Sequence, residues 1–231
     1  MPVTRAPSPQ ADPPTPPEVP FSQLLRERSR GEHHQAEGSG FMSALLDGRV
    51  DRAGYTAMVA QHLYIYEALE AVGDSLRNDS VAGPFVSDRL TRLPSIRADL
   101  AYLCGSAASD VPSPLDATLA YVERIRSTAT WPAGFVAHHY TRYLGDLSGG
   151  LAIGAAAARI YGLQPGGDGV RFYRFERIAK PKVFKDDYRA RLDTAPWDPA
   201  ERERVVDEVL TAYRHNTEVF AELDRAYPPR H

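Results

Sequence analysis

Cysteine is almost absent from this chain: Cys104 stands alone among 231 residues. One thiol excludes an internal disulfide and every multi-cysteine zinc or iron–sulfur site. Although 43% of the residues are hydrophobic, no apolar run approaches the roughly 20 residues that a membrane-spanning helix needs. The net charge of −3 gives no reason to expect a nucleic-acid partner. The N-terminus lacks the cationic segment and apolar stretch of a secretory leader. Short catalytic signatures are missing too. There is no HExxH pair, no Gly-x-Ser-x-Gly elbow and no phosphate-binding glycine loop. No Glu-x-x-His tetrapeptide occurs, which weighs against a di-iron helical bundle. What is left is a chain of ordinary globular composition, long enough for one sizeable core and expected in the cytoplasm.

Proline is distributed unevenly. Eight of the nineteen prolines fall within residues 1–20, at 2, 7, 9, 13, 14, 16, 17 and 20. That density forbids helix and offers nothing apolar to bury, so residues 1–20 are expected to form a disordered, Pro-rich arm. From Phe21 to about residue 227 the periodicity is helical and predicts one all-α domain. A first helix runs from Phe21 to about Glu37. Residues 51–76 carry Tyr55, Met58, Val59, His62, Leu63, Tyr66 and Leu69 at steps of three and four, with Asp51 as the cap. Shorter pieces between Val81 and Leu103 are expected to break at Pro84 and Pro94. Further helices are predicted over 114–126, 135–160 (ending at Gly162), 181–192 and 199–226. Val170–Phe175 is the only strand-like alternation, too short and solitary to build a sheet.

The helix over 135–160 holds the most informative stretch, His139-Tyr-Thr-Arg-Tyr-Leu-Gly-Asp-Leu-Ser-Gly-Gly. Three glycines fall within six residues, and each costs a helix interior about 1 kcal/mol relative to alanine. Gly145 and Gly149 are four apart and share a face. Either a neighbouring helix packs closely there, or something broad and flat lies on the bare backbone; the glycines alone do not separate these. Asp146 favours the second, because a carboxylate within the patch suits water held beside a bound group.

Other residues are ambiguous taken singly. His33, next to His34 in a polar stretch, is by composition a surface histidine. A helix that presents an imidazole opposite a glycine patch could instead hold an iron porphyrin, with Glu37 one turn later fixing the ring. Lys185 and Arg189, four apart, could meet the porphyrin carboxylates or form a plain solvated face. Cys104 at a helix end reads better as a small apolar residue than as a nucleophile.

Taken in order, five blocks resemble the haem oxygenase family over some 200 residues, about Leu24 to Leu223. They are Leu-Arg-Glu-Arg-Ser-Arg-Gly-Glu-His-His-Gln-Ala-Glu, Tyr-Ile-Tyr-Glu-Ala-Leu-Glu, the glycine block, Val-Phe-Lys-Asp-Asp-Tyr-Arg-Ala-Arg and Thr-Ala-Tyr-Arg-His-Asn-Thr-Glu-Val-Phe. The glycine block is highly specific. The resemblance implies a single-domain helical fold with haem sandwiched between a proximal helix and the glycine-rich distal helix. It implies His33, not His34, as the proximal iron ligand, with Glu37 behind it. Gly145 and Gly149 would lie against the haem, Asp146 would be the distal carboxylate, and Arg142 and Tyr143 its neighbours. Propionate contacts would fall on Arg26, Tyr140, Lys185 and Arg189. Arginine at 26, where relatives often carry lysine, keeps the charge but changes its geometry. The small apolar run after Gly150 departs from the more polar stretch of some relatives.

The resemblance implies an O2- and electron-dependent conversion of haem, as both substrate and cofactor, to biliverdin, CO and Fe(II). The glycine wall is expected to offer neither imidazole nor guanidinium beside bound oxygen, leaving Asp146 to organise proton-delivering water. With no flavin, nicotinamide or iron–sulfur motif, the electrons are expected from a ferredoxin or a flavoprotein reductase. The chain's end in Tyr-Pro-Pro-Arg-His lacks a membrane anchor and suggests a soluble, bacterial-type enzyme. The rivals are a non-catalytic haem carrier or sensor, and a thiaminase-like helical enzyme that uses Cys104 without haem.

Overall fold

The computed structural model describes residues 19–37, 40–105 and 111–230, apart from the side chains of 33–37. Residues 1–18 of the arm expected over 1–20, and the side chains of His33 and Glu37, therefore lie outside the described residues. Among the described residues nine α-helices form: α1 Phe21–Glu37, α2 Gly40–Leu46, α3 Arg52–Ser75, α4 Leu93–Cys104, α5 Asp116–Ser127, α6 Pro132–Gly145, α7 Leu151–Tyr161, α8 Pro181–Asp193 and α9 Pro199–Ala226. Their ends follow from local chemistry. Asp51 accepts the Gly54 backbone N–H at 2.9 Å to start α3, and Asp198 accepts that of Glu201 at 2.7 Å to start α9. Prolines occupy the first turns of α4, α6, α8 and α9, where their missing N–H costs nothing. Gly162, at φ 64°, closes α7 in the left-handed conformation.

The long α9 packs on α1, α2, α5 and α6, while α3 packs on α4, α5 and α6. Between them lies one apolar core that includes Tyr55, Tyr66, Phe135, Phe172 and Tyr188. Full burial of a phenylalanine such as Phe135 or Phe172 stabilises by about 1.5–3 kcal/mol. Glu208 of α9 is buried here as well. It takes hydrogen bonds from Arg124 of α5, at 2.8 Å to Nε, and from His138 Nε2 of α6 at 2.6 Å. Burial pushes the Glu208 carboxyl up, but these two partners prevail and hold it at about 2.

Two expectations are corrected. Pro94 does not break a helix; it opens α4. The alternation at Val170–Phe175 is no strand but a loop around a 3-10 turn at Arg171–Tyr173. The buried Asp99 carboxylate takes the backbone N–H groups that a ladder would use: Gly169 at 2.8 Å, Arg171 at 2.9 Å and Phe172 at 2.8 Å. Helix α2 was not anticipated, because glycines flank its short apolar run, yet it buries Phe41, Met42, Ala44 and Leu45. Cys104 ends α4 half-buried.

Candidate functional site

The helix predicted over 135–160 is continuous but not regular: Asp146–Gly150 forms a π-helical turn between α6 and α7. Such a turn widens the coil locally, and it recurs at functional sites. The glycines of this run divide into two kinds. A Cβ added at Gly145 or Gly149 would meet nothing within 4 Å, whereas at Gly150 it would touch Tyr173 Cδ1 at 3.6 Å and at Gly154 it would strike Tyr173 Cβ at 2.8 Å. Close packing thus accounts for Gly154, while Gly145 and Gly149 open onto empty space.

That space comprises two cavities that share Gly145. The larger, about 410 Å³, lies between α1, α6 and α8. It brings together four residues expected at the site, Arg26, Tyr140, Lys185 and Arg189, and adds Arg30, one turn after Arg26 on α1. Among the described residues neither Arg26, Arg30 nor Lys185 has a carboxylate partner, while Arg189 pairs with Asp186 at 3.0 Å. Lys185 donates to Ser148 Oγ at 3.0 Å and so ties α8 to the π turn. Burial, then the nearby Arg189, lowers its pKa against the pull of Asp186. Burial raises the Tyr140 hydroxyl, and Arg189 and Arg26 oppose that. Four cations and a phenol at one mouth suit a ligand with more than one carboxylate.

The smaller cavity, about 130 Å³, is lined by Gly145, Asp146 and Gly149 and by Arg142 and Asn216 behind them. The Tyr66 hydroxyl donates a hydrogen bond to Asp146 Oδ2. Arg142 sits with its guanidinium 5.1 Å from the centre of the Tyr66 ring and donates through Nη1 to Asn216 Oδ1 at 2.7 Å. Burial raises the Asp146 pKa, held back by Arg142, the Tyr66 hydrogen bond and Arg92. The carboxyl thus lies nearer to carrying a proton than an exposed aspartate does. Further out, Tyr143 donates to Glu70 Oε1 at 3.4 Å, and that oxygen also takes the backbone N–H groups of Arg92 and Leu93 at 2.5 and 3.2 Å.

The glycine wall was expected to offer neither imidazole nor guanidinium beside bound oxygen; the cavity it faces is also lined by His62 and Arg142. Position 62 looked like part of the apolar stripe of α3, and it is buried; but the same face points Tyr66, one turn later, at Asp146. Tyr66, Asn216, Arg30 and His62 were not singled out as site residues from sequence. Tyr66 and Asn216 do sit inside the Tyr-Ile-Tyr-Glu and Tyr-Arg-His-Asn blocks, and Arg30 follows Arg26 by one turn. His33 and Glu37 belong to α1, about two turns and about three turns after Arg26, with side chains outside the described residues. Among the described residues no three His, Cys, Asp or Glu side chains gather closely enough to hold a metal ion, and no helix is long and apolar enough to cross a membrane.

A flat ring with carboxylates on one edge fits these features: two bare Cβ positions for its face and a cationic mouth for its edge. Comparisons with known proteins agree. The family model described as "Heme oxygenase" matches residues 19–222. "Heme oxygenase 1" of Pongo abelii is 36% identical over 205 residues, covering 88% of this chain and 71% of that protein. "Heme oxygenase 1" of Nostoc sp. is 36% identical over 205 residues, covering 88% and 86%. The crystal structure of heme oxygenase-1 from the cyanobacterium Synechocystis sp. in complex with heme superposes with a TM-score of 0.85 at 34% identity, covering 90% of this chain and 94% of that one.

Proposed function

The chain belongs to the heme oxygenase family, and on that footing we propose that it degrades haem oxidatively to biliverdin, CO and Fe(II), using O2 and electrons from an external donor. The observation that supports this most is the pair of open glycines between a cationic mouth and a buried, tyrosine-bound aspartate. Haem bound there would supply the iron that activates O2 and would also be the ring that is opened.

Each residue then has a task. His33 would hold the iron, and Glu37 would fix the outer nitrogen of its imidazole. Arg26, Tyr140, Lys185 and Arg189, with Arg30, would bind the carboxylates and so set which edge of the ring faces inward. Gly145 and Gly149 leave room for the ring to lie against backbone. Asp146 holds a proton at its carboxyl or passes one to water in the small cavity. The Tyr66 hydroxyl fixes the orientation of that carboxyl, and Arg142, anchored by Asn216, stabilises its charge. A ferredoxin or flavoprotein reductase in the cytoplasm is the donor class we propose.

The test is an aerobic absorbance series with stoichiometric hemin, before and after ascorbate or a ferredoxin–reductase pair is added. A sharp Soret band should decay into a biliverdin spectrum while a reporter globin traps CO. A stable Soret band would instead indicate a haem carrier, and no Soret band would refute haem binding. His33→Ala should abolish turnover while the fold persists; if His34→Ala proved the damaging change, the ligand assignment would shift by one residue.

A further inference from the structure

One buried group of the small cavity stands apart from Asp146, Tyr66 and Arg142. His62 lies on α3 one turn before Tyr66, is 7% exposed, and packs its ring on Phe172 with centroids 4.8 Å apart. It lines the same cavity as Asp146, Gly145 and Gly149. Its Nδ1 is sealed and has no hydrogen-bond partner. Leucine or phenylalanine would fill this place without desolvating two ring nitrogens. The ring is held neutral, by burial first and then by the Arg142 guanidinium. A neutral imidazole carries one proton, and an orphaned N–H is costlier to bury than an orphaned lone pair. The proton therefore belongs on Nε2, the nitrogen left to meet the cavity.

We infer that His62 is a hydrogen-bond donor of this cavity, its Nε2–H serving a water molecule or small anion held near Asp146 against the Gly145–Gly149 wall. The arrangement has a chemical logic. Tyr66 spends its proton on Asp146, and one arm of Arg142 is committed to Asn216. His62 adds a donor without adding positive charge. It would position a small ligand, while proton transfer stays with Asp146.

The inference rests on haem lying against the glycine wall, and the experiment separates the two ideas. Wild type, His62→Leu and His62→Gln are titrated with hemin by the Soret band, and each ferric complex is then titrated with fluoride, an iron ligand stabilised by donated hydrogen bonds. All three should take up hemin with affinities within about threefold, while fluoride binds at least about fivefold more weakly to His62→Leu and recovers to within about twofold of wild type in His62→Gln. Equal fluoride affinity in wild type and His62→Leu would overturn the inference and leave the haem proposal standing, as would His62→Gln binding fluoride as weakly as His62→Leu. Failure of wild type to bind hemin would sink the haem proposal. The apoprotein supplies an independent reading: nitrogen-15 NMR should place the ring proton of His62 on Nε2 and show its cross-relaxation with water. A proton on Nδ1, or a dry Nε2–H, would overturn the assignment.

Discussion

Gly149 and Gly154 stand five residues apart on one helical run, and they are glycine for opposite reasons. Gly154 is small because Tyr173 occupies the space a side chain would need, while a Cβ at Gly149 would meet nothing within 4 Å. The first is a packing glycine whose loss should be felt in the fold; the second keeps a surface clear, and its loss should be felt only by what lies on that surface. Two buried carboxylates differ in the same way. Glu208 is bound by two cationic or donor side chains and sits far down the pH scale, so it is a structural anion. Asp146, in the π turn between α6 and α7, is raised by burial and paired with a neutral hydroxyl. Structure wants a charge that never changes, whereas proton handling wants one that can.

The largest effect should come from Asp146. Asp146→Asn keeps the shape but removes the titrating oxygen, and should lower the rate of biliverdin formation by about 10²–10⁴-fold while hemin affinity stays within about threefold. Single-turnover absorbance with the Soret titration as control checks both halves. If turnover survived, the contrast with Glu208 would lose its meaning.

Glu208 should show the opposite signature. Its carboxyl lies near 2 in the folded protein against 4.5 unfolded. The unfolded chain therefore takes up the proton first, so the stabilisation is fully present above about pH 4.5 and fades as pH falls toward 2. Chemical denaturation from pH 7 down to pH 3 should reveal that decline in wild type, and Glu208→Gln should flatten it.

Gly154→Ala comes next. Its Cβ would press on Tyr173, and overpacking of this kind costs about 1–3 kcal/mol. Removing a helical glycine returns at most about 1 kcal/mol, so the apoprotein should melt several degrees lower. Lys185→Ala should have the smallest effect: hemin binding weakened about three- to tenfold, with more loss at low salt than at high, because the other cations of the mouth remain.

Much of this architecture was legible in the residues. Asp51 and the prolines at 181 and 199 announce helix starts by rules that act within one turn, and Gly162 announces a stop in the same way. The grouping of Arg26, Tyr140, Lys185 and Arg189 about one cavity was legible only through resemblance, since no local rule joins residues from three helices. What stayed hidden depended on distant partners. The Val170–Phe175 alternation looks like a strand until Asp99, some 70 positions earlier, takes its N–H groups. His62 reads as core because periodicity registers that a face is buried and not that the face borders a cavity. Nor does spacing distinguish a glycine that avoids Tyr173 from one that avoids nothing.

The most direct test of the account places a side chain on the open face. Gly149→Leu should leave the apoprotein melting temperature unchanged or slightly higher, because a helical glycine is replaced where nothing clashes. Hemin affinity, followed by the Soret band, should fall by at least about a hundredfold as the leucine fills the space the ring needs. A Gly149→Leu protein that melts like wild type and binds hemin like wild type would contradict the claim that this bare backbone is where haem lies.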